Sequence, residues 1–199
     1  MNLRTVRGLA AWAAVLLLVS CSDRRDYAEE EPPSRQDDIC AIFDQRPHWR
    51  DAVYASARRW GAPVPVQMAI IWRESSFRSR VRPPQKVFMG VATGHISSAY
   101  GFAQAIDGTW EWYRRETGNM RADRTDWNDA TDFVGWYMAK SYAMNGVGMH
   151  DAFNQYLAYH EGHAGHRNGS YRAKRWLTDV AAKVAGQAAR YRGQLRLCP

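Results

Sequence analysis

Three short pieces of this 199-residue chain carry side chains suited to acid–base work on a polar substrate. The first is Glu74-Ser75-Ser76-Phe77, which follows the apolar run Ile70-Ile71-Trp72. A carboxyl group at the end of such a run is a candidate proton donor near neutral pH. Burial disfavours its charged form and raises its pKa. The second piece is Tyr100-Gly101-Phe102-Ala103-Gln104, with an amide side chain and a glycine that lets backbone come close to a ligand. The third is Ala158-Tyr159-His160-Glu161-Gly162, with a phenol, an imidazole and a second carboxyl group.

The three pieces, in this order and each at a helix end, resemble the soluble-lytic-transglycosylase type of lysozyme-like domain. That family shows E-S followed by a large apolar residue, then G-L-M-Q, then A-Y-N-A-G. The resemblance runs from about residue 48 to 185. It implies a mainly α-helical, goose-lysozyme-like fold. It also implies cleavage of the β-1,4 bond between N-acetylmuramic acid and N-acetylglucosamine in peptidoglycan, without a cofactor. A single glutamate does the chemistry, so Glu74 is implied as the catalytic acid and base. Substrate contacts are implied for Gly101, for Gln104 and for Tyr159, whose hydroxyl would lie near Glu74. His160, at the position of the family's Asn, is carried over as a substrate contact, with Ser75 and Ser98 as weaker candidates.

The chain departs from the pattern in places. Phe102-Ala103 replaces Leu-Met, Glu161 stands where the family has Ala, and the family's later tyrosine has only Tyr171 as a loose counterpart. Glu161 is therefore a candidate second acid, which keeps a lysozyme-type hydrolase open. A catalytically idle glycan-binding factor on the same fold is a further alternative. Most of the nine tryptophans read as core; one or two of Trp110, Trp112 and Trp127 are candidates for stacking on sugar rings.

His160-Glu161-Gly162-His163-Ala164-Gly165-His166 invites a metal reading. The zinc-protease pattern H-E-x-x-H needs two histidines one helical turn apart, and here the second comes one residue early. A surface or groove-lining loop is expected instead, and no metal.

The elements that must position these pieces are helices. Trp49, Val53, Ala57 and Trp60 recur at spacings of three and four, and Gly61 stops that helix. Pro63 and Pro65 open the next, which is apolar on most sides and so expected to be central. Asp107 and Asp126 read as N-caps of two later helices, His150 to Tyr159 as another ended by Gly162, and Ser170 as the cap of the last. Arg80 to Ala99 has no periodicity and reads as a long loop, of the kind that is usually functional.

The N-terminus reads as an export signal. Arg4 and Arg7 precede an apolar stretch from Leu9 to Val19, too short to span a membrane. It ends in Leu18-Val19-Ser20-Cys21, which resembles the bacterial lipobox, where the cysteine is lipidated and becomes the first mature residue. Ser22, rather than Asp, points to the outer membrane. The expected organisation is a signal over 1–20, the lipidated Cys21 with a polar tether over 21–38, and one catalytic domain over 39–199. The remaining two of the three cysteines, Cys40 and Cys198, are expected to bridge in an oxidising compartment. The net charge of +7 suits an anionic wall polymer; export and a lipid anchor argue against nucleic acid.

Overall fold

The structure is a computed structural model, and it describes residues 31–198. The export signal, Cys21 and the first part of the tether lie outside the described residues. Within them the fold is mainly α, as the sequence implies, and consistent with a lysozyme-like domain. In chain order it holds α1 (Ile39–Gln45), α2 (Pro47–Trp60), α3 (Val64–Ser75), β1 (Gln85–Phe88), β2 (Val91–His95), α4 (Asp107–Thr117), α5 (Trp127–Asn145), α6 (Ala152–Asn168) and α7 (Arg175–Gln194).

Helix α3 is the hub. It packs against α7, α5 and α2, while α6 packs on both α5 and α7. Val66, Met68, Ala69, Ile70 and Ile71 are fully buried on successive faces, so the sequence's all-round apolar pattern reflects a helix covered on nearly every side. Its buried amide, Gln67, is satisfied: its nitrogen donates to the Ala62 carbonyl at 2.8 Å, and its oxygen lies 2.9 Å from the Ser56 hydroxyl. Helices α2 and α5 meet closely at Gly135, where an added Cβ would come 2.3 Å from Ser56 Oγ. No larger residue fits that crossing.

The two ends of the helical domain are tied together. Cys40 and Cys198 form a disulfide with Cα atoms 5.5 Å apart, across 158 residues of sequence. Packing begins ahead of residue 39. Pro33 is buried. Gln36 donates to the Ser76 carbonyl at 3.2 Å, and Gln194 donates to the Asp37 carbonyl at 3.1 Å. Asp38 caps α1 by accepting from the Cys40 and Ala41 amides.

Four local expectations are corrected. The stretch after Arg80 contains an antiparallel hairpin, β1 paired with β2, in place of a structureless loop. The N-cap of α4 is Ile106; Asp107 is its first helical residue, and the Ser98 hydroxyl accepts its amide at 3.1 Å. Ser170 opens a short 3-10 turn (Ser170–Ala173), and α7 starts after Lys174. Gly162, at φ 72 and ψ 161, kinks α6 without ending it, and the helix resumes to Asn168.

Candidate active site

Glu74 sits in the last turn of α3, and the chain directly after it is forced into an unusual path. Ser76 and Phe77 take φ values of +51° and +59°, a region that non-glycine residues occupy at a cost. The compensation is visible in the packing. Phe77 is fully buried against Trp49 and Trp127, with ring centroids 5.9 Å and 6.1 Å away. Those two tryptophans are themselves stacked at 3.9 Å, with Phe102 edge-on to both. An aromatic knot thus fixes the end of α3 and the direction in which the glutamate points.

Glu74 borders a cavity of about 450 Å³ whose wall also includes Gln104, Tyr137, Tyr159, His160 and Glu161. All three sequence pieces therefore meet at one place. Burial raises the Glu74 carboxyl to about 7, only partly offset by a hydrogen bond with Tyr156 and by the charge of Arg73. It is poised to hold a proton and release it near neutral pH. Tyr156, buried in α6, was not singled out from the sequence. It lies three residues before Tyr159, one helical turn away on the same side of α6, and that spacing was the available signal.

Tyr159 borders the cavity as expected, yet its hydroxyl donates to the Ala103 carbonyl at 2.5 Å. Burial, then the nearby Glu74 charge, push its pKa well above the usual tyrosine value, so it stays a neutral phenol. The hydrogen-bonding phenol at Glu74 is Tyr156. Gln104 adopts φ +48° in a tight loop, and its amide nitrogen donates to the Val81 carbonyl at 2.8 Å and to Gly101's at 2.9 Å. Its amide oxygen is the group left to meet a substrate.

Gly101 is required for packing. At φ +81°, an added Cβ would lie 2.1 Å from the Arg124 carbonyl oxygen. The close approach it permits is to protein backbone. Ser75 is buried and donates back to Ile71 at 3.3 Å. Ser98 serves the start of α4. Neither Gly101, Ser75 nor Ser98 is among the residues bordering the cavity, though Ser97 is.

Glu161 is a different kind of carboxylate. Its side chain is only 4% exposed, with Lys174 Nζ 2.8 Å from both oxygens. Ser170 donates to it as well, and His160 Nδ1 lies 3.1 Å away. Burial opposes its charge, but the bonds from Lys174, Ser170 and His160 outweigh that and hold it at about 2. The two carboxyl groups of the site are thus shifted in opposite directions, one able to carry a proton at neutral pH and one ionised there.

The other histidines of the run point elsewhere. His163 stacks on Tyr137 at 4.4 Å and lies 3.1 Å from the Ser141 hydroxyl, while His166 stacks on Tyr171. Among the described residues, no group of three or more His, Cys, Asp or Glu side chains is arranged to hold a metal ion. The tryptophans considered for sugar stacking are occupied within the protein. Trp110 and Trp127 are buried, and Trp112 packs edge-on to Trp136 at 4.7 Å.

Residues 9–198 match the family described as Transglycosylase SLT domain. The chain belongs to that family. No curated protein matched it. Membership in the SLT transglycosylases carries peptidoglycan as the substrate class and transglycosylase-type cleavage as the activity class. In this SLT domain, the cavity around Glu74 is where the three sequence pieces that carry the resemblance converge.

Proposed function

We propose that this protein is a peptidoglycan lytic transglycosylase that cuts the bond between N-acetylmuramic acid and N-acetylglucosamine, with Glu74 as both acid and base. Protonated Glu74 gives its proton to the glycosidic oxygen as the C1–O bond breaks. The carboxylate then takes the proton from the C6 hydroxyl of the muramic residue, whose oxygen closes onto C1. A 1,6-anhydro end forms, Glu74 regains its proton, and no water is consumed. The substrate's acetamide would stabilise the intermediate, and the Gln104 amide oxygen, on the cavity wall, would accept its N–H. Internal attack gains from proximity, because effective molarities of such reactions are large.

The observation that carries this reading is the contrast between the two carboxyl groups. Glu74 sits at about 7, suited to moving a proton in both directions at neutral pH. Glu161 sits at about 2, tied to Lys174, and is too weak a base to activate water. That argues against the hydrolase alternative, and a carboxyl tuned like Glu74 argues against an idle binding factor.

Placement follows the reading of the N-terminus. We propose that Cys21 is lipidated and holds the domain at the periplasmic face of the outer membrane, within reach of the wall. Fractionation of cells carrying Cys21→Ala tests it: the protein should leave the membrane pellet, and retention there with the signal still processed normally would refute the lipid as sole anchor. The catalytic proposal is tested with Glu74→Gln. The variant should melt as a folded protein yet release soluble muropeptides from sacculi at least a thousandfold more slowly. Activity above a tenth of wild type would remove Glu74 from the mechanism.

A further inference from the structure

The hairpin of β1 and β2 springs from the cavity rim, where Pro83 and Ile96 border the site, and it is exposed almost throughout. Its tip is apolar. Val87, Phe88, Met89 and Val91 keep 67%, 69%, 88% and 64% of their surface open. Contiguous exposure of four large apolar side chains is not the scattered exposure normal on a soluble surface. The turn that presents them, Met89-Gly90, takes φ +49° and +81°. A β-branched or bulky residue seldom adopts that region, so holding Met89 there displays its side chain at a backbone cost.

The charge around the tip is one-sided. From Ser75 to Ile106 the chain holds Arg78, Arg80, Arg82 and Lys86 and no Asp or Glu. All four cations are exposed. Arg82 stacks on Tyr100 at 3.9 Å and Arg78 donates to the Ser75 carbonyl at 3.1 Å, so these two sit on the body of the domain, while Lys86 directly precedes the tip on β1. An apolar tip with a cationic collar matches the order of a lipid surface, acyl boundary first and phosphate layer next.

We propose that this hairpin docks the enzyme on an anionic phospholipid surface, its tip entering the interface and its basic collar meeting the phosphates. The tip's chemistry favours lipid over glycan. From Val87 to Ala92 no side chain donates or accepts a hydrogen bond, so sugar hydroxyls laid against it would go unpaired. The path of the chain favours a membrane as well. Gln36 is bonded to the Ser76 carbonyl, so the segment leading back to the N-terminus joins the domain beside the start of this basic loop. The argument from the chain's path rests on the proposed anchor at Cys21; the apolar tip and its cations do not, and neither depends on the catalytic mechanism.

The test uses the full chain with Cys21→Ala and Met89→Cys. With Cys40 and Cys198 bridged, the new thiol is the one to label, here with an environment-sensitive fluorophore. Vesicles of mixed zwitterionic and anionic phospholipid should shift the emission to the blue, and purely zwitterionic vesicles should do so much less. In co-sedimentation, Phe88→Asp/Met89→Asp in the Cys21→Ala background should lower vesicle binding at least tenfold. Arg80→Ser and Lys86→Ser should each lower it about five-fold on anionic vesicles. Because the N-terminus is the same in every variant, the differences read the hairpin alone. Circular dichroism and sacculus digestion should be unchanged for the Asp variant, since its substitutions are exposed and outside the catalytic groups. Unchanged vesicle binding by the Asp variant would overturn the proposal. So would a blue shift with soluble glycan strands and none with vesicles, which would make the hairpin a substrate cover. A shift that grows with protein concentration in the absence of vesicles would overturn it too, in favour of self-association.

Discussion

Lys174 Nζ lies 2.8 Å from both carboxylate oxygens of Glu161. This pairing holds a carboxylate on the cavity wall as an anion and leaves Glu74 as the wall's carboxyl able to hold a proton near neutral pH. Glu161→Gln should therefore keep the product type and lower the rate of sacculus digestion by less than about tenfold. Lys174 is 41% exposed, so water can solvate it once its partner is neutral. A drop of a thousandfold, or a change from anhydro to reducing ends, would put Glu161 in the reaction.

Tyr156 tunes Glu74. Its hydrogen bond favours the charged carboxylate and so works against burial. Tyr156→Phe should move the Glu74 pKa upward. The rate against pH should fall on the basic side with a midpoint near 7 in the wild type, because the acid form is lost there. In Tyr156→Phe that midpoint should move to higher pH by up to about one unit. A midpoint that stays in place or moves down would break the link between the two residues.

The same shift has a stability consequence. The native carboxyl titrates at about 7 and the unfolded one near 4.5, so between those values the native state holds more protons. Stability from this group is complete below about pH 4.5 and is lost as pH rises through 7. At about 1.4 kcal/mol per unit the loss is at most about 3 kcal/mol. Glu74→Gln carries no such penalty and should melt higher than wild type at pH 8, with a smaller difference at pH 5. Equal melting temperatures at both values would contradict the buried, raised carboxyl.

Gly101 is a test of packing as distinct from substrate contact. Gly101→Ala puts a Cβ 2.1 Å from the Arg124 carbonyl and asks alanine to hold φ +81°. It should cost at least about 3 kcal/mol in urea unfolding. A variant as stable as wild type with weakened glycan binding would return Gly101 to the substrate site. The disulfide is expected to contribute about 5 kcal/mol in the chain-entropy view, which the Cys40→Ser/Cys198→Ser double variant measures by the same method.

The legible parts of this fold were those where burial imposes a period. The three-and-four spacing of Trp49, Val53, Ala57 and Trp60 is α2, and the apolar run from Val66 to Ile71 is the covered hub α3. Glu74, Gln104, Tyr159 and His160 were legible as a site because resemblance groups their motifs, and they border one cavity. What was not legible depended on contacts remote in sequence. The hairpin has no buried face to impose alternation, so Val87 to Val91 shows none. Asp107 looks like a cap, but Arg124 holds its carboxylate at 2.6 Å and Ser98 takes the amide. Tyr156 resembles any core aromatic until α6 is laid against the end of α3. Nothing local marks Glu161 as an ion-paired residue, since its partner Lys174 comes from the other side of a 3-10 turn.

The central claim is that one carboxyl group, Glu74, cleaves the glycan by internal attack. The most direct measurement is mass spectrometry of muropeptides released from purified sacculi and reduced with borohydride. Ends in 1,6-anhydro-muramic acid are expected, about 20 mass units below the reduced products of hydrolysis, since no water enters the bond that is broken. Muropeptides that all carry reduced muramic ends would contradict it and make the enzyme a lysozyme.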